Sequence, residues 1–573
     1  MILLIALFLA TYLIFKYLQW QLRRTKLRKI VEKRRSERDA SVELVQKSVA
    51  SLDEKLRETI GSWSFRELRE KLQSGAVSCV DVLKTYQWKA LKAHEKTNCA
   101  TMFFKEAEQW AREWDEKAKV PGFVKPAFFG IPISLKECVP IKGYDQTRGF
   151  VQDVDVPTKI DCVMVQQIKL LGMIPYVQTN VPQSLLSYSC SNPVYGTTTN
   201  PVDKTRTPGG SSGGESAIIG AGGSIIGIGG DVGGSIRIPC HFTGIAGIKP
   251  SHLRFSHRGV CGSVPGRPLI NSSDGPMAKD METIVDFLRE VWRDDFISQQ
   301  DPFVPPVPWN EELYKEGKKY RIGYYVDDGW FTPIPAIQRA VLEAKERLEA
   351  AGHTVVPFHP PSVPRTMRHF VRAVCVDGGT FLTRKLLSDI VDPSLYGQVI
   401  LLMIPIWIQR LLAYPSKYFF PRFANMMHSL ALNTTELRET YAEIEDYRGD
   451  FVVLMQEQKL DALLCPPQVL TAPKHHIPAK LFAACCYTAI FNLLDFAAGV
   501  VNVTKVTKED DQKLIKEYPE SDPWYRLAKD ACKDSIGFPV NVQVAAPPYK
   551  EEVVLRILRD IEIGVKTQKS EAK

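Results

Sequence analysis

Residues 209–240 read GGSSGGESAIIGAGGSIIGIGGDVGGSIRIPC. Glycine is far denser here than in the rest of the chain, and serines sit among the glycines. Glycine leaves the backbone uncrowded, adopts positive φ and exposes its N–H groups. Several N–H groups can then converge on one point and make a place for negative charge. A flexible Gly/Ser linker has a similar composition. This stretch, however, carries isoleucines from Ile218 to Ile238 together with Val232, which predicts a folded segment. Two phosphate-binding patterns fail here. A P-loop needs G-x-x-x-x-G-K-[ST], and no lysine lies between Lys204 and Lys249. A dinucleotide fingerprint needs G-x-G-x-x-G, and Gly227-Ile228-Gly229-Gly230-Asp231-Val232 lacks the last glycine.

Gly209, Ser211, Gly214, Asp231, Gly233, Ser235, Arg237 and Pro239 together resemble the signature of the amidase signature family, whose members hydrolyse carboxylic amides. In that family the nucleophile is the serine of the D-x-G-x-S-[ILV]-R run, which implies Ser235. The bridging serine of the G-G-S-S-G-G run falls on Ser211. The lysine of the G-x-P-x-x-x-K segment falls on Lys136, in GIPISLK at 130–136. Lys136 stands beside Glu137, and from the local residues alone a surface ion pair is the favoured reading, which the G-x-P-x-x-x-K match reverses. The chain is most similar to one branch, the membrane-bound fatty acid amide hydrolases. That similarity covers nearly the whole length after the N-terminal segment, including YSCSNPVYG at 188–196 and LDFAAG at 494–499. The resemblance implies an α/β fold: one large domain on a long mixed β-sheet covered by helices, behind an N-terminal transmembrane helix.

The chemistry follows from what an amide demands. A serine hydroxyl is a weak nucleophile at neutral pH and needs a base. No G-x-S-x-G elbow surrounds Ser235, so the usual histidine arrangement is not signalled. A lysine serves instead if it is neutral, and burial favours the neutral form. Ser211 would then pass the proton between Lys136 and Ser235 and later return it to the leaving amine. Val232, Gly233, Gly234 and Ser235 would offer backbone N–H groups to the oxyanion. Ser212 is the adjacent candidate to support this network. Asp231 and Arg237 are expected to hold the loop rather than react.

The resemblance implies N-acylethanolamines and primary fatty amides as substrates, giving a free fatty acid and an amine through an acyl-enzyme. Leu185, Leu186, Ile490 and Phe491 match positions near the family's substrate channel. Leu186 stands where some relatives carry phenylalanine, which leaves chain-length preference open. Three other readings stay in view: an amidase or esterase for other lipid or xenobiotic substrates, a glutaminase-type amidotransferase subunit, and an inactive lipid-binding scaffold. The complete set of Lys136, Ser211 and Ser235 argues against the last.

The totals bound the rest. With 573 residues, length alone allows several domains. The net charge of +8 does not signal nucleic acid, because the basic residues crowd near the N-terminus from Arg23 to Arg35. Twelve cysteines at irregular spacing suit free thiols better than a disulfide framework. No His/Cys cluster has metal spacing, so neither metal nor cofactor is expected.

Residues 1–20, MILLIALFLATYLIFKYLQW, carry no charge before Lys16. With the positive charges after the apolar run rather than before it, a spanning anchor is expected in preference to a cleaved signal. The same charges predict a chain that follows on the cytoplasmic side. This reading gives a single-pass protein of the endoplasmic reticulum or another endomembrane, with the bilayer as a partner; a homodimer is a separate expectation. The expected segments are an anchor at 1–20, a charged helical connector at 21–60, the amidase domain at 61–565 and a tail at 566–573. A helix and strand are predicted at 161–178, a strand–helix–strand unit at 320–356, and a core strand at 538–544 followed by a closing helix at 551–563. Within 395–426, the unbroken apolar run from Val399 to Ile408 is followed by aromatic and basic residues, and Pro405, Pro415 and Pro421 argue against a straight spanning helix. The segment reads as core or as amphipathic helices lying in a membrane surface, and the second is favoured. Trp407, Leu411 and Phe419 would then belong to a membrane cap, as the family resemblance also implies.

Overall fold

The computed structural model describes residues 2–260 and 262–571, apart from the side chains of 2–6, 9, 10, 13 and 568–571. Its strands are β1 (Ala100–Phe103), β2 (Pro132–Lys136), β3 (Ile174–Thr179), β4 (Ser191–Asn192), β5 (Gly196–Thr197), β6 (Ile226–Asp231), β7 (Ala246–Lys249), β8 (Ser273–Ala278), β9 (Arg321–Tyr324), β10 (Thr354–Pro357), β11 (Ala462–Cys465), β12 (Ala497–Lys505) and β13 (Pro539–Ala546). All but β4 and β5 join one sheet in the order β1-β3-β2-β6-β8-β7-β12-β13-β11-β9-β10. β3, β2 and β6 run parallel, as do β11, β9 and β10, and the strands between these two groups pair antiparallel. The sheet is therefore mixed, as the resemblance implied.

The inner strands are buried on both faces, and their sequences read as apolar or small-residue runs for that reason. Each buried Val, Leu or Ile side chain contributes about 1.5–3 kcal/mol. Helix ends follow local chemistry. Ser64 caps the helix Phe65–Ser74 in a reciprocal pair with Glu67, and Gly75, in the left-handed region, ends it. The helix Pro335–Ala350 carries the chain from β9 to its parallel neighbour β10.

The N-terminus differs from expectation. One helix, Ile2–Val49, runs through the boundary expected at residue 20, because no glycine or proline interrupts it. Its second half docks on the catalytic body. Arg34 pairs with Asp145 at 2.7 Å, Arg35 donates to the Val194 carbonyl at 2.8 Å, and Leu27 and Val31 are buried with Val151, Val154 and Tyr195. Part of the expected anchor falls on side chains outside the described residues. Among the described residues no single helix is long and apolar enough to cross a membrane. That corrects the expected N-terminal transmembrane helix, the single-pass endomembrane orientation and the bilayer partner.

The segment expected as a cap folds into the helices Tyr396–Met403, Ile406–Ser416 and Pro421–Met427. The first two bend by 95° at the break before Pro405 and are too short to span singly. Trp407, Leu411 and Phe419 are exposed on them. The eleven cysteines among the described residues are free thiols, as their spacing predicted.

Candidate active site

Lys136 ends β2 and is 1% exposed, so the surface reading of this lysine is excluded. Its Nζ donates to Ser211 Oγ at 2.8 Å and to the Gly230 carbonyl at 2.9 Å. The neighbouring Glu137 does not pair with it. Glu137 instead accepts from the backbone N–H and the hydroxyl of Thr147 and from the N–H of Arg148. Ser211 and Ser212 lie just before the helix Gly213–Gly220, which packs beside β2 and β6. Ser212 ties the two halves of the glycine-rich stretch together. Its N–H donates to the Ser235 carbonyl at 3.1 Å, and its Oγ accepts from the Gly230 N–H at 3.2 Å.

The loop from Val232 to Ile236 connects β6 to the helix Arg237–Thr243. A fully buried ion pair braces it, Asp231 with Arg237 at 2.9 Å. Asp231 also accepts from the N–H groups of Gly234 at 2.8 Å and Ile236 at 3.0 Å. Burial alone would raise the Asp231 carboxyl, but the Arg237 guanidinium and these hydrogen bonds hold it well below the usual carboxylate range. Arg237 donates further to the Thr488 carbonyl, Gln543 Oε1 and Asn492 Oδ1. An ion pair so fully hydrogen-bonded offsets its desolvation and fixes the loop.

Gly234 sits at φ +122°, and a Cβ there would collide with Thr488, so no other residue fits. Thr488 Oγ1 donates to the Gly233 carbonyl at 2.7 Å, which sets the peptide that follows. Of the four expected oxyanion donors, Gly234 is committed to Asp231. Among the described residues, the N–H groups of Val232, Gly233 and Ser235 have no protein acceptor.

Ser235 opens on a cavity of about 500 Å³, with Leu185, Leu186, Val232 and Gly233 beside it. Its other walls are apolar, formed by Phe370, whose ring lies against Gly233, and by Val374, Leu401, Leu402, Phe420 and Phe423. Ile490 and Phe491 are not among the lining. Both are buried in the helix Cys486–Leu493, where Phe491 packs against Phe496. Phe482, Ala483 and Cys485, just before that helix, make the wall instead.

Sequence reasoning missed Thr488, Asn492 and Gln543, which hold the loop from distant elements. The only signal was polar residues at i and i+4 in the otherwise apolar run CYTAIFNLL. Among the described residues no group of three or more His, Cys, Asp or Glu side chains is placed to hold a metal ion.

A buried lysine bonded to a serine, a second serine on a braced glycine loop and open N–H groups beside it define an amide-hydrolysing class of site. Residues 81–555 match the family model described as Amidase, and the chain belongs to that family. It is 58% identical over 537 residues to fatty acid amide hydrolase 1 of Caenorhabditis elegans, covering 94% of each chain. It is 42% identical to fatty-acid amide hydrolase 1 of Sus scrofa, over 87% of this chain and 84% of that one. The solved structure of a fatty acid amide hydrolase superposes with a TM-score of 0.78 at 26% identity, covering 94% of this chain and 95% of that one.

Proposed function

We propose that this chain is a serine hydrolase that cleaves fatty acid amides to a free fatty acid and an amine. The relatives named above carry that activity in their names, and the identity to them runs through the whole catalytic region. The observation that carries the mechanism is the 2.8 Å bond from buried Lys136 to Ser211, beside the loop that bears Ser235.

Neutral Lys136 takes the Ser211 proton while Ser211 takes that of Ser235, and Ser235 Oγ attacks the amide carbonyl carbon. The carbonyl electron pair moves to oxygen, where the open N–H groups of Val232, Gly233 and Ser235 stabilise it. As the C–N bond breaks, the proton returns through Ser211 to the departing nitrogen, and the amine leaves uncharged. Water then repeats the sequence on the acyl-enzyme and releases the acid, freeing Ser235. The acyl chain lies along the apolar cavity walls, where each buried CH₂ contributes about 0.8 kcal/mol.

Labelling with a serine-directed fluorophosphonate, together with a panel of primary amides of graded acyl length, tests this reading. Ser235→Ala is expected to abolish labelling and turnover in a protein that melts like the parent. Labelling that survives in Ser235→Ala, or no preference for long acyl chains, would overturn it.

A further inference from the structure

Asp274 on β8 stands opposite Gly230 on β6 in the antiparallel ladder. Gly230 has no side chain, so neighbouring polar groups close in on its α-carbon, Ser272 Oγ among them. β2, on the other side of β6, directs Lys136 toward the same position. A Cβ at Gly230 would lie 2.7 Å from Asp274 Oδ1 and 3.8 Å from Lys136 Nζ. Three adjacent strands thus bring a carboxyl and an amine together over one glycine. Asp274 is 5% exposed, and among the described residues no cation lies within ion-pair distance of it. Nothing in the amide-hydrolysis sequence above uses this carboxyl.

We propose that Asp274 governs the protonation of Lys136 and thereby sets the lower pH limit of the reaction. The inference rests on the Lys136–Ser211–Ser235 reading. An ionised Asp274 attracts a proton onto Lys136, and that proton must leave before Ser211 can be deprotonated.

The other titratable groups around the pair do not replace it. Cys138 and Cys162 also face Asp274, and burial pushes their thiols up to about 11 and about 12, so they stay neutral. Lys136 is faced in addition by Cys190, pushed up to about 12, and by Glu215 of the helix Gly213–Gly220. Burial pushes Glu215 up to about 8 against the hydrogen bonds it accepts from Ser134 and Thr179. Burial pushes Asp274 up to about 6 against the pull of Lys136. Burial thus raises Glu215 further than Asp274, which makes Asp274 the more readily ionised of the two.

The test is the pH dependence of fluorophosphonate labelling and of amide turnover in the full chain. Asp274→Asn and Asp274→Ser are expected to move the acid limb down by about one pH unit, so that labelling below the limb is about tenfold faster than in the parent. Asp274→Glu, which keeps the charge, is expected to retain the parental limb. Thermal melting identifies which variants are folded. An unmoved limb in either folded neutral variant overturns the proposal. So does an equal loss at every pH, or a limb that moves in Glu215→Gln and not in the Asp274 variants. Ser235→Ala separates the two levels: labelling that persists there removes the underlying site reading, whereas its loss alongside an unmoved limb removes only the role of Asp274.

Discussion

Lys136 and Ser211 meet at 2.8 Å in a buried setting, although 75 residues separate them in the chain. The contact exists because β2 and β6 are parallel neighbours and the glycine-rich stretch folds back over both. A lysine that, among the described residues, donates only to a hydroxyl and a carbonyl, with no ion-paired carboxylate, is placed to trade protons.

Removing that lysine has a distinctive signature. Lys136→Met is expected to lower amide turnover by about 10²–10⁴-fold at neutral pH, and turnover of a matched ester by much less. The amine must leave protonated, whereas an alkoxide leaves more readily. Paired amide and ester rates, with raised pH restoring part of the ester rate, check this. Equal losses for both substrates at every pH would make Lys136 structural.

Arg237→Met leaves Asp231 buried without its counter-charge and is expected to cost about 3–5 kcal/mol in unfolding free energy. The pH dependence carries the sign. The Asp231 carboxyl is held low in the folded chain, so its contribution is complete above about pH 4, the range of a free aspartate, and is lost as pH falls below it. Denaturant titrations of the parent and Arg237→Met across that range measure both effects. A variant as stable as the parent would show that the pair does not hold the loop.

Thr488→Val removes the hydroxyl that donates to the Gly233 carbonyl at 2.7 Å. The valine is nearly the same shape, and the buried carbonyl left without that donor costs about 1–3 kcal/mol. That peptide's own N–H, of Gly234, is held by Asp231, so the peptide fixes the loop between the open N–H groups of Gly233 and Ser235, and kcat is expected to fall about tenfold or more with KM little changed. A change confined to KM would place Thr488 in substrate binding instead.

Leu186→Trp fills part of the cavity next to Ser235. Long-chain amides are expected to lose about fourfold in kcat/KM for each methylene displaced, while short amides keep theirs. The slope of log kcat/KM against acyl length reads this directly, and a parallel shift for all lengths would remove Leu186 from the acyl path.

The glycine-rich stretch was legible because its chemistry depends on residue identity at consecutive positions. The strand–helix–strand unit from Arg321 to Pro357 was legible because both periodicities are local. The antiparallel centre of the sheet was not, since the β7–β12 contact joins residues about 250 positions apart with nothing local to announce it. Ile490 and Phe491 were misplaced for a related reason. Their helix is buried all round, so composition does not say which face meets the cavity. The helix Ile2–Val49 defied its expected boundary because hydropathy changes at residue 20 while helix propensity does not.

That helix bears on how the chain can be shortened. Its docked half, from Leu27 onward, covers Val151, Val154 and Val194 and supplies guanidinium groups to loop acceptors, so it belongs to the hydrolase body rather than to a leader. A cut placed before Leu27 would leave those residues covered. A cut at residue 50 would strip an apolar strip and strand Asp145 beside it, and the product would tend to associate through the newly bared surface.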